Sequence, residues 1–101
     1  VIALDRACAS LQLSRIAARG VFALGRVGAS YGHGSGDYGL ALSAVHSDTP
    51  RILGPGELDL VFTAVLESVE EAVLDALIAA ETVRTPHGRT AFALPHEVLT
   101  V

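Results

Sequence analysis

The sequence has no lysine, no methionine and no tryptophan, and it has a single cysteine, Cys8. With seven arginines against eleven acidic residues the net charge is −4. That balance argues against a nucleic-acid or anionic-membrane partner, both of which favour excess positive charge. One cysteine cannot form a disulfide within the chain. With no secretory segment in view, a reducing, cytoplasmic setting is expected. Long apolar runs are also missing. None reaches the roughly 18–20 residues of a transmembrane helix, because Arg6, Arg15, Arg19 and Arg26 interrupt the first half and Asp59, Glu67, Glu70, Glu71 and Asp75 the second. Charged residues make up only 18%, against about 25% in an average soluble domain.

What is present is apolar. Half of the 101 residues are hydrophobic before ten glycines are counted, so burial can offset ordering entropy and disorder is excluded. The length suits one domain, residues 1–101. A domain of this size buries only about two-thirds of its unfolded surface and needs many polar residues outside. This chain is short of them. It is therefore expected to complete its core against another chain; the alternative is a compact, alanine-rich monomer. A chain that opens at Val1 without methionine is expected to have been cut, trimmed or taken from a longer one. No basic region precedes the first apolar residues, so a signal peptide is not expected.

Residues 1–4 read as the end of a buried strand whose beginning is missing, stopping at Asp5. Ser10 precedes a helical pattern through Arg26. Leu13, Ile16, Ala17, Gly20, Val21 and Leu24 share one face. Gly20 and Gly25 each cost about 1 kcal/mol there relative to alanine, which points to close helix-to-sheet approach or to a fraying last turn. Residues 28–36 form a glycine-rich loop able to take positive φ at several places. Residues 38–46 follow as a strand small or apolar on both faces, suited to burial on both sides. Residues 47–56, with Pro50 and Pro55, read as a loop. From Glu57 to about Val83 runs a long helix whose stripe includes Leu58, Val61, Phe62, Val65, Val69, Val73 and Leu77. Residues 85–88 make a turn, and residues 89–94 a short strand closed by Pro95. The order β, α, loop, β, α, β suggests an α/β layer of helices on a sheet that this chain alone does not finish.

The glycine-rich loop carries the most specific chemical signal. A phosphate-binding loop ends in Gly-Lys-Ser/Thr, and Gly34-Ser35-Gly36-Asp37 has no lysine. A dinucleotide fingerprint lies between a strand and a following helix; here the order is reversed. What remains is a serine between two glycines with a carboxylate two residues on. The flanking glycines let other backbone approach the Ser35 hydroxyl, and Asp37 can orient it or hold a nearby amine. The alternative is a turn in which Ser35 and Asp37 cap loop backbone. His33, His46, His87 and His96 lack metal-ligand spacing, and no metal or cofactor is expected. Cys8, in Ala7-Cys8-Ala9, reads as a small buried hydrophobe.

Four blocks in one order add a resemblance: Leu13-Ser14-Arg15-Ile16-Ala17-Ala18-Arg19-Gly20; Gly34-Ser35-Gly36-Asp37; Glu70-Glu71-Ala72 on to Ala79-Ala80-Glu81-Thr82; and Ala93-Leu94-Pro95-His96. Together they resemble the self-processing L-aminopeptidase / D-amidase-esterase group, which includes the β-aminopeptidases. The likeness covers nearly the whole chain as the smaller, C-terminal β subunit. It implies a precursor that cleaves itself before a serine, which becomes the N-terminal nucleophile with its own α-amine as base. It also implies an α/β/β/α four-layer sandwich completed by an α subunit from the same precursor. The layout is like that of N-terminal-nucleophile hydrolases, with different connectivity. Ser35 and Asp37 would be the loop serine and carboxylate holding the nucleophile. The family often has glutamate at the Asp37 position and asparagine at the His33 position. The nucleophile would lie a few residues before Val1, and the oxyanion-hole donors in the α subunit.

The resulting expectation is the β subunit of a serine aminopeptidase or amidase acting on small peptides or amides, in an oligomer of αβ units. One rival is a subunit of an ornithine acetyltransferase-like enzyme, which shares the layout but uses threonine. The other is a non-catalytic pairing domain with a degenerate site.

Overall fold

The structure is a computed structural model that describes residues 1–49 and 51–99; Pro50 of the expected loop lies outside the described residues. Strand β1 (Ile2–Leu4) leads into helix α1 (Ser10–Leu24), which tightens into a 3-10 turn at Gly25–Val27. Strand β2 (Ala41–Ser43) returns parallel to β1, with Ile2 opposite Ala41 and Leu4 opposite Ser43. Helix α2 (Pro55–Ala79) follows, then an antiparallel hairpin of β3 (Val83–Arg84) and β4 (Thr90–Ala91), and a last 3-10 turn at His96–Leu99. The mixed α/β expectation holds, with a β-α-β unit at its centre.

Both helices cover one side of the β1–β2 pair, and they make the most extensive contact in the chain. The core comprises Leu4, Ile16, Leu53, Leu58, Val61 and Val65, flanked by half-buried Ile2, Leu13, Ala41, Phe62 and Val69. Ile16 is fully enclosed. Gly20 serves close approach, because a Cβ there would lie 2.9 Å from the Ile2 side chain. Arg19 stacks on the Phe62 ring at 3.7 Å from its centroid, so its charge stays outside while its stem covers the α1–α2 seam. A second tie is polar. The Gln12 amide donates to the Leu53 carbonyl at 3.0 Å and accepts from the Leu53 N–H at 2.8 Å. This seats Leu53, within the segment read only as a loop, in the core.

Several expected boundaries move. Ser10 is the first helical residue rather than the cap. Ala9 holds the N-cap position without a side-chain bond, and its N–H is tied to the Arg51 carbonyl at 2.8 Å. Helix α2 starts earlier than Glu57, at Pro55, whose fixed φ suits the first helical position. It stops at Ala79 because Ala80 turns extended, and Val83 belongs to a strand that helical periodicity had absorbed. Only Thr90–Ala91 of residues 89–94 is paired. The stripe on α2 is buried at Leu58, Val61 and Val65 but fades beyond Val69, leaving Leu74, Leu77 and Ile78 exposed.

The expected strand 38–46 is paired only at Ala41–Ser43, and one of its faces is bare. Ala41 turns toward the helices, while Leu40, Leu42 and Val45 are exposed, as are Val1 and Ala3 on the neighbouring strand. The described residues supply helices for one side of the sheet only. The chain accordingly exposes 7494 Å², where a compact chain of its mass exposes about 5,400 Å². Its radius of gyration is 17.2 Å, against about 13 Å for a compact domain of 100 residues.

Candidate active-site loop

The loop from residue 28 to residue 40 leaves the end of α1 and enters β2. Its start is fixed by Gly28, whose φ of 99° ends the helical turn in the left-handed region. The only other positive φ in the loop is at Tyr31, 51°, and not at Gly32, Gly34 or Gly36. The glycines thus provide room rather than left-handed turns: a Cβ at Gly32 or Gly34 would meet nothing within 4 Å. At the far end, a Cβ at Gly39 would lie 2.3 Å from the Ala17 carbonyl oxygen. Only glycine lets the chain cross α1 there.

Ser35 and Asp37 sit on this loop, and both are exposed, as is His33. The Ser35 N–H donates to the Gly32 carbonyl at 3.3 Å, closing a turn. Among the described residues no hydrogen bond engages either side chain, so the expected pair shares one loop without joining a network. Two cavities lie elsewhere and do not include them. One, about 610 Å³, lies between the free edge of β1 and α2, lined by Ala3, Leu60, Ala64 and Ser68 among others. The other, about 360 Å³, lies past the end of β2 beside Cys8, Ser43, His46 and Arg51.

The parallel register connects the loop to the start of the chain. The Ile2 N–H donates to the Leu40 carbonyl at 2.8 Å, so Val1 stands beside the residues that enter β2. At the opposite end of the strands, Glu57 in the first turn of α2 receives Arg6 at 3.1 Å and Arg51 at 3.2 Å. Hydrogen bonds to Asp5 and then to Glu57 raise the Arg6 pKa. Cys8, expected to be buried, is only half-buried, its Sγ 3.6 Å from the Ala9 carbonyl. Burial pushes its thiol pKa up, helped by the Glu57 charge and opposed by Arg51.

Tyr31, Gly39 and Gln12 were not singled out from sequence. Gly39 read as one more small residue in a strand, and nothing in a polar glutamine at an exposed-looking helical position announces a backbone partner forty-one residues away.

The chain is thus a β-α-β unit with a glycine-lined loop carrying a serine and a carboxylate at its edge. The sequence pattern of Peptidase family S58 matches residues 1–91. This chain belongs to that family. It is similar to the beta-peptidyl aminopeptidase BapA of Sphingosinicella microcystinivorans, 33% identical over 108 residues, covering 98% of this chain and 27% of that protein. It is likewise similar to the BapA of Sphingosinicella xenopeptidilytica, 30% identical over 109 residues with the same coverage. Among solved structures it matches the PH0078 protein from Pyrococcus horikoshii OT3 with a TM-score of 0.81 and 30% identity, over 94% of this chain and 29% of that one. The chain spans about a quarter of the length of the curated relatives it matches.

Proposed function

We propose that this chain is the β subunit of a self-processed serine aminopeptidase or amidase that cleaves small peptides or amides bearing a free N-terminal amine. The observation that carries the reading is the β1–β2 register. With Ile2 opposite Ala41, a parallel continuation upstream would set the residue three before Val1 opposite Asp37 and the residue five before it opposite Ser35. A nucleophilic serine a few residues ahead of Val1 would then start beside both side chains. Its α-amine would take the hydroxyl proton as the oxygen attacks the substrate carbonyl, then return it to the departing amine. Water would release the acyl group by the same route. The Ser35 hydroxyl would bridge to the nucleophile, and the Asp37 carboxylate would hold its amine. The bare sheet face supports the same reading. The surface in excess of a compact chain, about 2,000 Å², is of the size a permanent subunit interface buries, and an α subunit laying a second sheet there would complete the α/β/β/α sandwich. Such αβ units would then associate further.

The test is turnover of an amino-acid p-nitroanilide by the full protein, measured with melting temperature. Ser35→Ala should lower turnover about a hundredfold while changing stability by about 1 kcal/mol at most. Asp37→Asn should lower it similarly. Lost stability with full activity in the folded fraction would instead make both residues loop caps.

A further inference from the structure

We propose that Tyr31 is a positioning residue: its hydroxyl and the Gly39 contact clamp the two ends of the Ser35–Asp37 loop onto adjacent turns of α1. The inference rests on the peptidase reading given above for Ser35 and Asp37.

The helix end creates the need. As α1 tightens into its 3-10 turn, the Gly25 N–H turns to the carbonyls of Ala23 and Phe22. The Val21 carbonyl, which an unbroken α-helix would pair with that N–H, becomes one of the orphan acceptors of a helix C-terminus. The Tyr31 hydroxyl donates to it at 2.5 Å and also approaches the Phe22 carbonyl at 3.3 Å. The ring reaches this position because Tyr31 takes a left-handed backbone, uncommon for a bulky residue. It lies over Gly25, where a Cβ would already stand 3.4 Å from the hydroxyl oxygen. An alanine methyl there would make ordinary van der Waals contact with the ring, so the seat of Tyr31 on the helix end does not depend on that glycine.

The second anchor is steric. Gly39 crosses α1 against the Ala17 carbonyl. Ala17 and Val21 are four residues apart, just over one helical turn or about 6 Å. The segment between Tyr31 and Gly39 is thus gathered back onto a short stretch of one helix, with Ser35 and Asp37 projecting between the anchors. Glycines at 32, 34 and 36 leave that projection intrinsically loose. Without the Tyr31 bond, the near end of the loop would be held only as far as Ala29, whose N–H donates to the Leu24 carbonyl at 3.1 Å, and small displacements of reacting groups lower rates steeply.

The experiment uses the full-length, processed protein and the variants Tyr31→Phe, which keeps the ring and deletes the bond, and Tyr31→Ala, which removes both. Both should lower kcat on an amino-acid p-nitroanilide about tenfold or more with KM little changed. Both should also speed amide hydrogen exchange across residues 32–37 while leaving the α1 amides around Ile16 protected. Unchanged exchange in the loop, or unchanged kcat beside an inactive Ser35→Ala control, would overturn the clamp. If Ser35→Ala itself keeps full activity, the catalytic reading of the loop fails, and the exchange measurement still decides whether the clamp exists.

Discussion

Gly39 has a side-chain position that is already taken by the Ala17 carbonyl oxygen, at 2.3 Å. Backbone cannot rotate away as a long side chain can, so Gly39→Ala must push β2 off α1. We expect a loss of about 1–3 kcal/mol, the usual penalty of overpacking. Thermal denaturation checks it, and an unchanged melting temperature would place the strand further from the helix. Cys8 gives a second test at this scale. Its thiol pKa is raised by burial, so the folded state holds the proton more tightly than the unfolded one. That contribution to stability is present below the unfolded pKa and is lost as pH rises through the folded value. Alkylation by iodoacetamide should therefore be slower at neutral pH than for an exposed cysteine peptide and should accelerate on the alkaline side. Rapid labelling at neutral pH would show an open thiol. Ser35 and Asp37 were singled out in the sequence because glycines frame them. It did not show Tyr31 or Gly39, whose importance lies in where α1 runs beneath them.

The two helices were legible because their apolar spacing is long and regular, and Ile16, Val61 and Val65 lie where the pattern put them. Ends were less legible. Ala80 turns the chain out of α2 with no glycine or proline to mark it, and the two-residue strands of the hairpin are too short for alternation to register. The fading of the α2 stripe beyond Val69 was invisible too, since periodicity reports which face is apolar and not what covers it. The covered half makes a clear prediction. Ile16→Ala, at the fully enclosed centre of the α1–α2 seam, should cost about 2–5 kcal/mol. Leu77→Ala lies on the distal half, which is exposed in this chain. Denaturant unfolding of both variants in the full protein tells whether that half gains a cover there: a Leu77→Ala loss comparable to that of Ile16→Ala would mean that it does, and a loss well below about 1 kcal/mol, as for a surface site, that it does not.

At the scale of the whole molecule, one side of the parallel pair carries helices and the other carries Leu40 and Leu42 into water. The apolar excess of the composition and the bare face are the same fact seen twice. The isolated chain should therefore self-associate or remain expanded on gel filtration, and a monodisperse, cooperatively melting monomer would contradict that. The partner proposed for this face would come from the same precursor, cut a few residues before Val1. The most direct measurement is intact mass with N-terminal sequencing of the active protein purified from its full-length gene. Two polypeptides are predicted, the smaller opening on a serine within about five residues ahead of Val1, where the parallel β1–β2 pairing, continued upstream, would bring it beside the Ser35 loop. An active, uncut single chain, or a cut elsewhere, would contradict the assignment of this chain as the subunit that carries the nucleophile.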